Sequence, residues 1–371
     1  MSETVLVVGG GLVGALVALR LAESGQTVRV LDRDQPGAEA SSAAAGILAA
    51  QVEGSAPGAA WELGLASRAL HGTLHSELIE LTGDGSGYRK NGALEPTTEL
   101  DHEGRLAACS WQRSRELPVE SLDEASLRAI APGLNARYTG GIYFPDDATV
   151  DPPRLVASVI EAAARRGVRF EQGAVVREVT TSGGRVTGVR TELSQRSAEV
   201  VVLCAGAWSG QVGGALDDPQ EIRPARGQLL ELAMSPVPFS PVVYAGGGYL
   251  LPRSDGRVCV GSTLEMVGFE RGTTAAGQRT LLDRAIDAVP SLGGARLTRS
   301  WSSFRPRTPD GLPLVGELGV SGLFVAAGHH RSGVLLAPIT AEIVRDLIVH
   351  GRRHPQLGAL RPDRFRRGLD R

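Results

Sequence analysis

Along the first thirty-odd residues apolar and polar positions alternate in blocks. The apolar run VLVV enters the glycine cluster GGG, LVGALVALRLAESG follows with apolar residues filling most of its length, and TVRVLDRD closes the block. This pattern predicts a strand, a glycine turn, a helix ended by Gly25 and a second strand, one βαβ unit. Residues 59–82 predict a helix, and residues 88–145 a mixture of short strands and turns closed by PDDATVDP. PRLVASVIEAAARRG predicts a helix that starts at prolines and stops at Gly167. VRFEQGAVVREVTTSGGRVTGVRTE predicts strands around a Gly-Gly hairpin, and AEVVVLCAGAWSG a buried strand ending in a turn of small residues. Residues 222–300 are β-rich with one helix near 275–289, and residues 313–349 give strand, seam and long helix.

Parallel-type units at both ends with β-rich sequence between them predict an α/β chain with a discontinuous Rossmann-like domain. Its parts are residues 1–85, 146–221 and 301–371, and an inserted α+β domain takes residues 86–145 and 222–300. At 371 residues the chain is long enough for two cores.

Charge and cysteine content narrow the partners. Lys plus Arg number 39 against 41 acids, a net charge of −2, so no global field recruits nucleic acid or an anionic membrane. The basic end RRHPQLGALRPDRFRRGLDR is expected to be a solvated terminus. Cys109, Cys204 and Cys259 lie far apart without C-x-x-C spacing, which argues against a disulfide framework or a zinc site and fits a reducing compartment. The longest apolar run, Val5 to Leu21, is broken by glycines and carries Arg20, so it is not a membrane span. With a strand beginning almost at Met1, a cleavable signal has no room. The expectation is a soluble, cytoplasmic protein.

The glycine cluster carries the first chemistry. Gly9, Gly11 and Gly14 form G-x-G-x-x-G between a strand and a helix. Gly9 suits the tight turn, Gly11 clears space for a diphosphate, and Gly14 lets helix and strand pack, so the diphosphate meets the helix N-terminus. Asp32, at the end of the second strand, is placed to accept from ribose hydroxyls. This fingerprint indicates an adenine dinucleotide and does not separate NAD from FAD.

Six segments in order separate them: the fingerprint, AEASSAAAGILAA, VVLCAGAWSG, GGYLLPRSDGRVCVGST, SFRPRTPDGLPLVG and AAGHHRSGVLLAP. Together they resemble the FAD-dependent D-amino-acid oxidase superfamily, most closely its glycine oxidases of the thiamine-pathway type. The likeness spans essentially the whole chain and is weakest between about 95 and 140. It implies an FAD-binding Rossmann-like domain with an inserted α+β substrate-binding domain, and noncovalent FAD whose ring lies between the two. By motif position Gly9, Gly11, Leu12, Val13 and Gly14 would hold the diphosphate turn, with Ala40, Ser41 and Ser42 beside it. Asp32 and Arg33 would contact the ribose region, Val176 the adenine, and Ala45, Gly46 and Ile47 the flavin side, while Ala205 and Gly206 would line the cofactor.

The resemblance implies that the seam AAGHHRSGVLLAP is the strand-to-helix turn beneath the flavin, with the amides of Ser332, Gly333 and Val334, followed by Leu335, facing the pyrimidine end. A helix N-terminus there stabilises charge that develops on the reduced ring. His329 and His330 are adjacent, and in an extended segment they would point to opposite faces, so no metal is implied; they are expected to support or pack beside the cofactor. Arg331, Arg305 and Tyr249 match the family's substrate positions, and an arginine fork with a phenol would hold an amino-acid carboxylate. Arg307 is expected to be a surface or structural residue.

The implied reaction is oxidative deamination. A hydride leaves the α-carbon of a neutral amine for flavin N5, the imine is hydrolysed or passed on to thiazole synthesis, and O2 becomes H2O2. A dehydrogenase serving a quinone or carrier protein stays open as an alternative, and a nonenzymatic flavin or NAD module is disfavoured by the two arginines and the tyrosine. The glycines at 246–248 and Leu264 depart from residues these oxidases can carry, so glycine, sarcosine, another N-substituted glycine or a small D-amino acid all remain open as substrate. One methylene of pocket size discriminates by only about 1–3 kcal/mol. The resemblance also implies a homo-oligomer.

Overall fold

The computed structural model describes residues 4–216 and 218–365. The end of the basic C-terminal segment, 366–371, and the first three residues lie outside the described residues.

Strand Thr4–Val8 lies inside a six-stranded sheet, in the order Leu314–Glu317, Leu323–Ala327, Val200–Leu203, Thr4–Val8, Thr27–Leu31, Arg169–Glu171. All neighbours run parallel except the first pair. The uninterrupted VLVV is explained by burial on both faces. Val5 and Val7 join the core beneath helices Leu12–Glu23, Pro152–Arg165 and Gly333–His350, whereas Leu6 and Val8 join the core on the opposite face, beside the hairpin Val176–Ser182 and Arg185–Thr191. The hairpin turns at Gly183 and Gly184, both with positive φ, as the Gly-Gly pair predicts.

An eight-stranded sheet forms the second layer, in the order Arg296–Arg307, Arg223–Ala233, Arg257–Gly261, Gly248–Pro252, Val242–Ala245, Ala93–Thr97, Gly140–Phe144, Glu120–Leu122. Here too alternate residues separate the faces. Leu230, Leu232, Val258 and Val260 pack outward under helix Ala275–Ala288, while Leu229, Cys259 and Leu251 face Ala45 and Ile47 of the first layer. The site lies on that inner face.

Residues 88–145 are more helical than the sequence pattern predicts. Helices His102–Ala108, Ser110–Arg113 and Glu124–Ile130 intervene between the short strands. They are one or two turns long, too short to show a period, although Asp123 accepts a hydrogen bond from Ser126 N at 2.9 Å and caps the third. No helix among the described residues is long and apolar enough to cross a membrane.

Candidate active site

Between the two sheets runs one cavity of about 980 Å3. This is at the upper end of the roughly 300–1,000 Å3 typical of ligand and cofactor sites. Main chain rather than side chain forms its floor at the fingerprint. Gly9 has φ of +104°, and a Cβ there would lie 2.4 Å from the Cys204 carbonyl oxygen; a Cβ on Gly14 would lie 2.0 Å from the carbonyl of Gly9. Gly9, Gly11, Leu12 and Val13 therefore line the cavity, while Gly14 closes the packing behind them. At the start of helix Leu12–Glu23 the amide of Leu12 donates to Ser41 Oγ at 2.8 Å.

Asp32 reaches the cavity from the end of its strand, held by two amides: Gly10 N donates to Oδ2 at 2.6 Å and Asp34 N to Oδ1 at 2.8 Å. Burial pushes its carboxyl above the usual range against those two donors. Each oxygen retains a lone pair for a further donor such as a hydroxyl. Arg33 is held otherwise. Its guanidinium lies 3.6 Å from the centre of the Trp208 ring and donates to Glu39 at 2.9 Å, and Arg271 takes the same carboxylate at 2.6 Å. Ala40, Ser41, Ala45, Gly46, Ile47, Val176, Ala205 and Gly206 all line the cavity. Ser42 is not in the lining, and its hydroxyl donates to the Gly37 carbonyl at 2.7 Å.

The seam is a strand-to-helix turn, as the resemblance implies, although the two histidines stand within that turn and not in an extended segment. After strand Leu323–Ala327, Gly328 takes φ of +83°, a 3-10 turn covers His330–Ser332, and helix Gly333–His350 begins. The two histidines still diverge. His329 is buried with Nε2 3.0 Å from Thr340 Oγ1, and burial lowers its pKa to about 4. His330, with φ of +48°, lines the cavity, and its Nε2 is buried with no partner among the described residues. Burial first, then Arg305, Arg307 and Arg331, lower its pKa to about 4, so both rings are neutral at pH 7. Arg331, Ser332, Gly333, Val334 and Leu335 continue the cavity wall, and the Ser332 amide is already bonded to the His329 carbonyl at 2.9 Å. No cluster of three or more metal-ligating side chains occurs among the described residues.

Arg305 projects into the cavity from strand Arg296–Arg307. Its guanidinium donates to Ser262 Oγ at 2.7 Å and to the Thr263 carbonyl at 3.1 Å, with no acid in ion-pair range among the described residues. Burial accordingly pushes its pKa down. Space for the guanidinium comes from Gly227, where a Cβ would lie 2.1 Å from Nη1. Tyr249, on strand Gly248–Pro252, likewise uses the space over Gly261, and burial holds its phenol protonated. Arg331 differs from Arg305: its Nη2 is 3.0 Å from Glu53 Oε1, which also accepts from Tyr244 Oη at 3.0 Å.

Glu53, Tyr244, Ser262, Gly227 and Trp208 escaped the sequence reading. Only Glu53 left a signal, as the single acid in the small-residue stretch QVEGSAPGAA. Its approach is fixed from behind, since the fully buried Asp147 accepts from Gln51 N at 3.1 Å and Val52 N at 2.9 Å and pairs with Arg68 at 2.6 Å. Leu264 is half exposed, and neither it nor residues 246–248 line the cavity. Arg307 stands outside the lining as well.

A family model described as FAD dependent oxidoreductase matches residues 4–347. The chain belongs to this family. It is 38% identical over 98% of its length to the bifunctional protein ThiO/ThiG of Synechocystis, and spans 54% of that protein. The chain thus covers about half the length of the bifunctional relatives it matches. To the glycine oxidase of Geobacillus kaustophilus it is 36% identical over 93% of its length and 92% of the relative's. The crystal structure of a glycine oxidase from that organism superposes with a TM-score of 0.88 over 95% of this chain and 96% of that one. An iminodiacetate oxidase from Chelativorans, at 26% identity, gives 0.87 over 96% and 98%.

The cavity of this FAD-dependent oxidoreductase fits the family's cofactor on its own chemistry. The Gly9–Gly11 turn leaves the main chain bare at a helix N-terminus, as a diphosphate requires. His330, whose buried Nε2 has no partner among the described residues, lines the same cavity.

Proposed function

We propose that the chain oxidises glycine or a small related amino acid to the imine, with O2 as the electron acceptor and H2O2 as the second product. The observation that carries this reading is Arg305, a half-buried guanidinium that its surroundings desolvate, open to the cavity and with no acid in ion-pair range among the described residues. A desolvated cation without a counter-ion is costly, and a bound carboxylate supplies one.

In this reading Arg305 holds the substrate carboxylate and the Tyr249 hydroxyl donates to it, fixing the α-carbon in one orientation. The neutral phenol is the form that can donate, and burial keeps it so. The Arg305 guanidinium, whose charge is not offset as that of Arg331 is by Glu53, disfavours the ammonium form of the substrate amine and favours the neutral form that can be oxidised. Glu53 is committed to Arg331 and Tyr244, so the amine sheds its proton to solvent. The chemistry that bound FAD would supply is that of a two-electron acceptor for the α-carbon hydride and a route for those electrons to O2. We place the diphosphate at Gly11, Leu12 and Ser41, the ribose at Asp32, and the ring against Ala45, Gly46, Ile47 and the Gly333 helix start, without a covalent link. The six-stranded layer then binds the cofactor and the eight-stranded layer the substrate.

The test is anaerobic bleaching of the flavin by glycine, sarcosine and D-alanine, followed by air and a peroxide assay. Bleaching by at least one, with rapid recovery and stoichiometric H2O2, is the expected result. Bleaching with slow recovery in air would move the activity to a dehydrogenase, and no bleaching by any of the three would remove the amino-acid assignment.

A further inference from the structure

The pocket around Arg305 contains two arginines and one acid. Of its lining residues in electrostatic range of Arg305, only Arg331 and Glu53 carry charge at pH 7, because burial keeps Tyr249 protonated and His330 neutral. Glu53 spends its Oε1 on Arg331 and on Tyr244, both at 3.0 Å. Tyr244 and the amides of Gln51 and Val52 fix where this carboxylate sits, whereas Arg331 is more than half exposed. The acid is therefore the fixed member of the pair and Arg331 the adjustable one. Arg305 has no acid, and Arg331 has one built in. The net charge is one positive, which suits a ligand with a single carboxylate and an uncharged amine.

We propose that Glu53 sets how many carboxylates the pocket accepts: by neutralising Arg331 it restricts the site to amino acids that carry one, and removing its charge admits amines that carry two. This deepens the proposed function and rests on it. A second carboxylate on the amine nitrogen must find its own cation, and Arg331 is the one available beside Arg305 once Glu53 releases it. In the intact pair that second carboxylate meets Glu53, and like charges brought together out of water repel.

The test compares glycine with iminodiacetate, which is glycine bearing a carboxymethyl group on nitrogen. The quantity read is kcat/KM for iminodiacetate divided by kcat/KM for glycine in wild type, Glu53→Gln, Glu53→Asp and Glu53→Gln/Arg331→Ala holoenzyme. A charge-assisted hydrogen bond is worth about 1.5–3 kcal/mol, so Glu53→Gln should raise the ratio roughly 10- to 100-fold. Glu53→Asp should stay near wild type, and the double variant should return toward it. An unchanged or lower ratio in Glu53→Gln, or the same rise in the double variant, overturns the proposal.

Binding of acetate and malonate, read as perturbation of the flavin absorption, repeats the comparison without turnover. Malonate should gain on acetate in Glu53→Gln alone, and equal gains overturn the idea. If wild type oxidises no amino acid, the proposed function falls on its own account. If it oxidises glycine and the ratio stays fixed, only the role of Glu53 falls.

Discussion

Nε2 of His71 lies 3.1 Å from the carbonyl oxygen of Val334, four residues ahead of Pro338 in helix Gly333–His350. Proline has no amide hydrogen, so it leaves the carbonyl four residues earlier without a helical donor. The imidazole supplies one, sharing it with the Leu335 carbonyl at 3.2 Å, and Ser67 Oγ adds a bond to Leu335 at 2.5 Å. Both acceptors are carbonyls, so Nε2 carries the proton. The helix whose first residues wall the cavity is thus mended from helix Ala59–Thr82. His71→Leu leaves a buried acceptor unpaired and should lower stability by about 1–3 kcal/mol, measured by denaturant unfolding of the apoprotein. His71→Gln can place an amide N–H at the same point and should recover most of the loss.

The same histidine makes stability depend on pH. Burial lowers the His71 pKa from an ordinary 6.5 to about 4, and His329 is lowered to the same value. Between about 6.5 and 4 the unfolded chain binds more protons than the folded one. The stabilisation is complete above 6.5 and is lost as pH falls toward 4, by up to about 3 kcal/mol per histidine. Asp32 and Asp147, whose carboxyls burial pushes up, act in the opposite sense and offset part of this. Because glutamine does not titrate, the stability of wild type relative to His71→Gln should fall by about 2 kcal/mol from pH 7 to pH 5. A constant difference across that range would exclude a neutral, buried His71.

What could be read from the sequence follows from how each feature is encoded. The βαβ unit is written in consecutive residues, and Gly9 and Gly14 have the local steric roles that their spacing predicts. Strand Arg296–Arg307 of the eight-stranded sheet runs across the boundary expected at 301. The pairing of Glu53 with Arg331 joins residues 278 positions apart, and no local pattern signals it. Nor could Arg33 be seen to stack on Trp208, since that contact depends on how two distant loops meet. The repair of Pro338 by His71 was hidden for the same reason. The seam's strand-to-helix turn was legible from the resemblance, whereas the positive φ of His330 within it was not.

Two adjacent serines should respond differently to truncation. Ser41 Oγ accepts from the Leu12 amide, which leaves its own proton free for an anion at the helix start. Ser42 gives its proton to Gly37 away from the cavity. A hydrogen bond to a charged group is worth about 1.5–3 kcal/mol, so Ser41→Ala should weaken FAD binding roughly 10- to 100-fold. Ser42→Ala should leave the FAD dissociation constant within about twofold of wild type, the surface-like change expected where no ligand is touched. Fluorescence titration of apoprotein with FAD measures both, and equal effects would remove the diphosphate from Ser41.

Gly227 offers a way to disturb Arg305 without touching its charge. Truncation of a buried, paired arginine costs about 2–5 kcal/mol, so Arg305→Ala should lower kcat/KM for glycine by roughly 30- to 5,000-fold. In Gly227→Ala the new Cβ would lie 2.1 Å from Nη1 and 2.4 Å from Cζ, closer than any contact allows. The guanidinium must then leave Ser262 and Thr263, but as the end of a flexible side chain it can move while the strand stays in place. The loss should therefore be smaller, about tenfold as expected for one misplaced hydrogen-bonding group, and should fall mainly on KM. Both substitutions act through one group, so Gly227→Ala/Arg305→Ala should be no worse than Arg305→Ala alone. Additive losses in steady-state kinetics of the four proteins would show that Gly227 shapes the pocket by some route other than Arg305.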